Sequence, residues 1–203
     1  LLIIGVAYIE PVTNLIVIPA RAGSSFRDKN VRLLSGKPLL HYTFDSTFIK
    51  QSHHTLVTSD SSFMLTDAAE HGFMVHKRKA SYSNATATLD QVMALIAKEY
   101  PDYTNYICLP PTAPLRNARH VEEALNHHIT QGADSTISVK AEYKSIWQYK
   151  SNGYAKPLVE RLRNRQECEP VYVCNGAIFI TTGEMLRSQQ RRMCGHVSLY
   201  EMF

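Results

Sequence analysis

Arg21, Ala22, Gly23 and Ser24 stand directly behind an apolar run, N-L-I-V-I-P-A at 14–20, and Lys29-Asn30 follow shortly after. Glycine lets backbone N–H groups approach an anion closely, serine adds a donor, and arginine and lysine neutralise charge on a phosphate. In an open parallel sheet, the carboxyl end of a buried strand is where ligands bind. The spacing is not that of a P-loop, and the loop reads equally as a tight strand-to-helix connection.

Three other groups have chemical potential. Asn175-Gly176 interrupts a β-rich run at 171–181, and glycine weakens a strand interior unless a bulge or a close ligand needs it. Lys77-Arg78 and the arginine-rich stretch 161–165 are cationic, suited to phosphate or carboxylate and also to a solvated face. Asp60 at a strand end reads as a metal ligand or as the cap of the next helix. The adjacent pairs His53-His54 and His127-His128 point to different sides of their elements and read as surface or helix-end residues.

These residues need a frame, and the hydrophobic pattern supplies one. The run at 14–20 is the kind found in a strand buried on both faces. The pattern predicts strands at 55–58, 73–76, 106–109, 134–139, 171–181 and 197–200. Between them it predicts helices at 37–49, 61–71, 88–100 and 117–131, with Pro38 at a start and Gly72, Pro101 and Gly132 as stops. This alternation predicts an α/β domain with a mostly parallel sheet covered on both faces. From 141 to 170 it fails: the segment is polar, holds Trp147 and a turn at 151–153, and reads as a hairpin that packs against a second subunit. Residues 1–13 read as an N-terminal extension, either foreign to the domain or an edge strand ended by Pro11, and 14–203 as one domain.

Composition narrows the function classes. Of 203 residues, 22 are Lys or Arg and 18 Asp or Glu, a formal +4 spread along the chain, which suits a small anionic substrate and argues against nucleic acid. Four cysteines without a C-x-x-C pair imply a reducing, cytoplasmic setting, and the apolar run at 1–9 is too short to span a bilayer.

Five motifs in order give the pattern a family. I-P-A-R-A-G-S at 18–24 with Lys29-Asn30, Thr58-Ser59-Asp60, P-T-A-P-L-R at 111–116, G-A-D-S at 132–135 and N-G-A-I-F-I at 175–180 resemble the signatures of the acylneuraminate cytidylyltransferases, the CMP-nonulosonate synthetases. The resemblance implies a three-layer, Rossmann-like nucleotide-diphospho-sugar transferase fold with a protruding dimerisation hairpin. It implies transfer of CMP from CTP to an acidic nine-carbon sugar such as N-acetylneuraminate, with release of pyrophosphate, by a homodimer using Mg²⁺.

By the same carry-over Ala20, Arg21, Gly23, Ser24, Lys29, Asn30 and Arg78, or Lys77 one place earlier, hold the nucleotide. Arg21 and Lys29 act on the reacting phosphate. Lys144, Arg165 and Gln166, from the partner subunit, and Asn175 and Gly176 hold the sugar. The departures are Ser25 where the family has lysine, a shorter loop before Lys29, and Pro110 where the sialic acid enzymes have a sugar-binding glutamine. The family continues past L-Y-E-M into an S-I-D-I-D-type segment whose aspartates hold Mg²⁺, while this sequence stops at Phe203, so the resemblance supplies no metal ligand within it and Asp60 stands only as a partial substitute. Two other readings follow: a truncated or impaired relative that keeps fold, dimer and nucleotide binding, and a nucleotidyltransferase for another sugar such as 3-deoxy-octulosonate.

Overall fold

The computed structural model describes residues 14–22, 28–84, 86–151, 153–159 and 169–202. Its centre is a seven-stranded sheet. In chain order the strands are β1 (Asn14–Pro19), β4 (His53–Ser59), β5 (Met74–Lys77), β6 (Asn105–Cys108), β7 (Ser135–Glu142), β10 (Val171–Thr182) and β11 (Val197–Glu201). Two short strands, β2 (Leu33–Leu34) and β3 (Lys37–Pro38), form a separate hairpin. Its two-residue turn has Ser35 and Gly36 both at positive φ, 50° and 81°, the geometry that matches strand twist.

The sheet order is β11-β7-β10-β6-β1-β4-β5. All neighbours pair in parallel except β10, which runs antiparallel between β6 and β7. From β1 the chain builds outward through β4 and β5, then crosses back to place β6 on the other side of β1. The order therefore reverses between β1 and β6, which opens a crevice at the strands' carboxyl ends.

Successive side chains of β1 serve opposite faces. Ile16 and Ile18 pack with Leu40 and Phe44 of α1 (Leu39–Asp45), Met64 and Ala68 of α2 (Ser62–Glu70), and Val121 and Leu125 of α4 (Ala118–Thr130). Leu15 and Val17 pack with Met93 and Ile96 of α3 (Leu89–Glu99) and Leu186 of α5 (Gly183–Gln189). The result is the expected three-layer α/β sandwich. It explains why β1 is apolar at every position from Leu15 onward rather than at every second one. Helix starts follow local chemistry: Thr88 with Gln91, and Asn117 with His120, form reciprocal caps at α3 and α4.

The segment that breaks the alternation contains β8 (Ile146–Tyr149) and β9 (Ala155–Val159), an antiparallel hairpin forming its own two-stranded sheet. The pattern misplaced three details. The helix expected from 37 starts at Leu39, because Lys37 and Pro38 are taken by the β2–β3 hairpin. His128 is 2% exposed rather than on the surface, its Nδ1 2.8 Å from Thr136 Oγ1. Asp60 does not cap α2; the Ser61 side chain does, accepting from Met64 N–H.

Candidate active site

The parallel strands deliver their carboxyl ends to one edge, so Ala20 after β1, Asp60 after β4 and Arg78 after β5 become neighbours. Arg78 is 6% exposed, its Nη2 donating to the main-chain oxygen of Ala20 at 2.7 Å. Asp60 Oδ1 accepts from Ala22 N–H at 2.9 Å. Asn30 Nδ2 donates to the main-chain oxygen of Arg21 at 3.0 Å, holding the returning end of the loop against its start. Arg21 Nη1 donates to the main-chain oxygen of Asn84 at 2.8 Å. Lys77 Nζ donates to the main-chain oxygen of Asp60 at 2.8 Å and to Ser62 Oγ at 3.0 Å.

The balance of charge is cationic. Burial lowers the Arg78 pKa, Asp60 opposes that shift, and the like charge of Arg21 adds to it. Two guanidinium groups that repel each other in a partly desolvated crevice favour an anion between them. Two buried polar atoms here lack a hydrogen-bond partner among the described residues, Arg78 Nε and Asn30 Oδ1. One is a donor and the other an acceptor, and leaving either unpaired costs about 1–3 kcal/mol unless a ligand or water meets it. A nucleotide offers both: phosphate oxygens for the donor, and amino or hydroxyl groups for the acceptor.

On the other side of the crevice, the loop after β6 meets the start of β10. A cavity of about 410 Å³ lies there, lined by Thr112, Leu115, His120, Asn175, Ala177 and Met202 among others. Asn175 reaches this edge because β10 is antiparallel, so that its amino-terminal half lies beside the carboxyl ends of its neighbours. Asn175 Oδ1 accepts from Ser138 Oγ at 2.6 Å and from Ala177 N–H at 3.1 Å. Its amide nitrogen is thereby turned away from the bonds that fix the oxygen. Gly176 has φ +71°, where β10 changes register against β7 between Cys174 and Phe179. A Cβ there would meet nothing within 4 Å, so the backbone turn demands the glycine and crowding by the protein does not.

Arg116 ties the two halves together, and sequence reading placed it only within a motif. It is 3% exposed and donates to Pro110 O at 3.0 Å, Ala177 O at 2.7 Å, Ser46 Oγ at 3.1 Å and Thr43 Oγ1 at 2.9 Å. Burial pulls its pKa down to about 10, which still leaves it charged at neutral pH. Arginine is the one side chain with a planar fork of donors wide enough for four acceptors on three elements. The signal in the sequence was an arginine closing a proline-rich loop behind a buried strand.

Of the other predicted residues, Lys29 opens the short 3₁₀ turn Lys29–Val31, half-buried beside Asn30. Lys144 is exposed on the excursion after β7, its N–H donating to Glu142 Oε1 at 3.2 Å. Gly23, Ser24, Arg165 and Gln166 lie outside the described residues, as does the N-terminal extension 1–13. Cys108, Cys174 and Cys194 are free thiols. Among the described residues no helix is long and apolar enough to cross a membrane.

A mostly parallel, three-layer sheet with a cationic crevice at its reversal point and a second cavity beside it is a doubly wound α/β domain built to bind an anionic ligand at the carboxyl ends of its strands. The chain belongs to the cytidylyltransferase family, whose sequence profile matches residues 15–172. It is similar to the N-acylneuraminate cytidylyltransferase of Streptococcus agalactiae serotype V, 30% identical over 195 residues, which cover 92% of this chain and 47% of that protein. It is also similar to the CMP-N,N'-diacetyllegionaminic acid synthase of Legionella pneumophila, 29% identical over 85% of this chain and 79% of that protein. The chain spans about half the length of the streptococcal relative. Among solved structures, a CMP:2-keto-3-deoxy-manno-octonic acid synthetase complexed with CTP superposes with a TM-score of 0.72 at 15% identity, over 94% of this chain and 90% of that one. At that identity the likeness concerns the fold.

Proposed function

We propose that this chain binds CTP in the crevice beside β1 and transfers CMP to an acidic nine-carbon sugar seated in the cavity by Asn175, with release of pyrophosphate. The observation that carries the reading is the Arg21–Arg78–Asp60–Asn30 cluster, with Arg78 Nε and Asn30 Oδ1 buried and without a partner among the described residues. The family match and the relatives' names support the choice of base and of sugar class.

In this reading Arg21 and Lys29 stabilise the charge that spreads over the phosphate oxygens as the sugar's anomeric hydroxyl attacks the α-phosphorus. Gly23 and Ser24 add loop donors, Asn30 and Ala20 contact the nucleoside, and Arg78 fixes the triphosphate. Holding the sugar in the adjoining cavity sets the hydroxyl in line with the leaving pyrophosphate. Asn175 and the open backbone at Gly176 form the cavity floor. Lys144, Arg165 and Gln166 reach the sugar's carboxylate from a second subunit in a homodimer built on the β8–β9 hairpin. That hairpin supports the assignment by its exposed Trp147, Tyr149 and Leu158, next to Tyr172 and Val173 at the start of β10.

Mg²⁺ would supply further charge neutralisation on the triphosphate. A Mg²⁺ site takes one or two carboxylates besides substrate oxygens. Asp60 fits as one carboxylate at the crevice, with Oδ1 engaged by Ala22 N–H. A cytoplasmic location is part of this reading, supported by the free thiols of Cys108, Cys174 and Cys194.

The test is calorimetric titration of the full chain with CTP, GTP, UTP and ATP with Mg²⁺, followed by pyrophosphate release on adding N-acetylneuraminate, legionaminate or 3-deoxy-octulosonate. CTP-selective binding with release on a nine-carbon acid is the expected result. CTP binding without release would replace the transferase reading by a nucleotide-binding one, release with the eight-carbon acid would change the substrate, and no nucleotide binding would overturn the assignment.

A further inference from the structure

The face formed by α1 and α2 carries a cluster that the crevice does not use. His41 lies in the first turn of α1, Asp67 lies on α2, and His71 caps its carboxyl end four residues later. His41 Nε2 is 3.1 Å from Asp67 Oδ1 and 2.9 Å from Oδ2, and His71 Nδ1 is 3.4 Å from Asp67 Oδ1. One ligand atom from each of the three residues lies within 4.8 Å of the other two. In a tetrahedral site with metal–ligand bonds of about 2.0–2.1 Å, neighbouring ligand atoms stand roughly 3.3 Å apart. Asp67 Oδ1 already holds nearly that spacing to both imidazoles.

The rings are also held in place. Phe44 stacks on His41 with centroids 5.2 Å apart and lies 5.0 Å from His71, whose other neighbour Phe73 is stacked at 6.3 Å. The two imidazoles themselves are 4.7 Å apart. His71 Nδ1 also donates to the main-chain oxygen of Asp67 at 2.7 Å; a metal on Nδ1 would take the place of that proton, and the helix-end bond would be given up. Two imidazoles and a carboxylate form a nitrogen-rich donor set, which suits zinc and its neighbours and not the all-oxygen preference of Mg²⁺.

We infer that His41, Asp67 and His71 form a site for a divalent transition-metal ion of the zinc class, with its fourth position open to solvent. The ion would join α1 to α2 on a face separate from the nucleotide crevice. It would stabilise the folded chain without taking part in phosphoryl transfer.

The experiment uses the full chain, stripped with chelator and carrying Cys174→Ser and Cys194→Ser so that the exposed and the half-buried thiol do not compete. Zn²⁺ is titrated in by calorimetry against a competing chelator, and thermal unfolding is followed with and without one equivalent. One equivalent per chain is expected, with a rise in melting temperature, and at least a tenfold loss of affinity in His71→Asn and in His41→Gln. His71→Asn, which removes the ring but keeps a residue suited to a helix carboxyl end, should lower the metal-free melting temperature by less than zinc raises that of the parent. Imidazole NMR on the unsubstituted chain gives an independent reading, with His41 and His71 shifting together on Zn²⁺ addition. Absence of binding, or binding that survives both histidine substitutions, or a shift confined to other histidines, would overturn the inference.

Discussion

Arg78 donates to the carbonyl of Ala20 at 2.7 Å, joining the ends of two strands that are not neighbours in the sheet, since β4 lies between β1 and β5. The bond crosses over the end of β4 and leaves Arg78 Nε buried and without a partner among the described residues. One end of the guanidinium thus serves the fold and the other is left for an anion.

Arg78→Ala is expected to weaken CTP binding by about 10- to 100-fold, the worth of about 1.5–3 kcal/mol for a bond to a charged group. Arg78→Lys should recover only part of this, because an ammonium cannot hold the carbonyl and the ligand in one plane. Calorimetry at fixed salt checks both. Equal affinity in the alanine variant and the parent chain would remove Arg78 from the nucleotide site.

Arg116 has a structural task, and its loss should appear in stability first. Arg116→Met would fill similar volume while leaving the carbonyls of Pro110 and Ala177 without a donor, a cost of about 2–4 kcal/mol. Denaturant unfolding measures it. A midpoint unchanged from the parent chain would show that water replaces those donors.

His128 makes stability depend on acidity. Burial, aided by the neighbouring charge of His127, holds its pKa at about 4 in the folded chain against 6.5 for a free imidazole. Between those values the unfolded chain binds a proton that the folded chain refuses. Stability is therefore full above about pH 6.5 and falls as the pH drops towards 4, by about 3 kcal/mol in total. His128→Asn should flatten that portion of the profile, read from chemical unfolding at about pH 7.5 and about pH 4.5. An unchanged slope would assign the acid sensitivity to other groups.

Gly176→Ala meets no protein atom but forces a side chain onto φ +71°, at a cost of about 1–2 kcal/mol. Asn at this position should cost less, since it tolerates the left-handed region. If the sugar lies over this backbone, both variants will raise KM for the sugar while CTP affinity holds. A loss of CTP affinity alone would place the sugar elsewhere.

Trp147 is 61% exposed and Tyr149 80% exposed on the β8–β9 hairpin. With the parent chain a dimer, Trp147→Glu is expected to yield monomers by light scattering and to lower sugar turnover before CTP binding. A parent chain that is monomeric at micromolar concentration would end the dimer reading.

Much of the fold is legible from the residues because its signals are local. The apolar run of β1 from Leu15, the capping residues Thr88 and Asn117 and the glycine stops each act within a few positions, and the observed elements follow them closely. The chemistry of the loop at Arg21 to Asn30 is equally local, since residue types alone favour an anion there. Other features depend on partners remote in sequence. That β10 runs antiparallel, carrying Asn175 to the edge where Ala20 and Asp60 end, is settled by strand pairing across the sheet. Arg116 is a motif arginine until packing surrounds it with four acceptors, His128 a helix-end residue until Thr136 closes over it, and His41 unremarkable until α1 settles beside α2. Local periodicity decides which elements form; burial and close approach, which set charge, hydrogen bonding and coordination, exist only once those elements are packed.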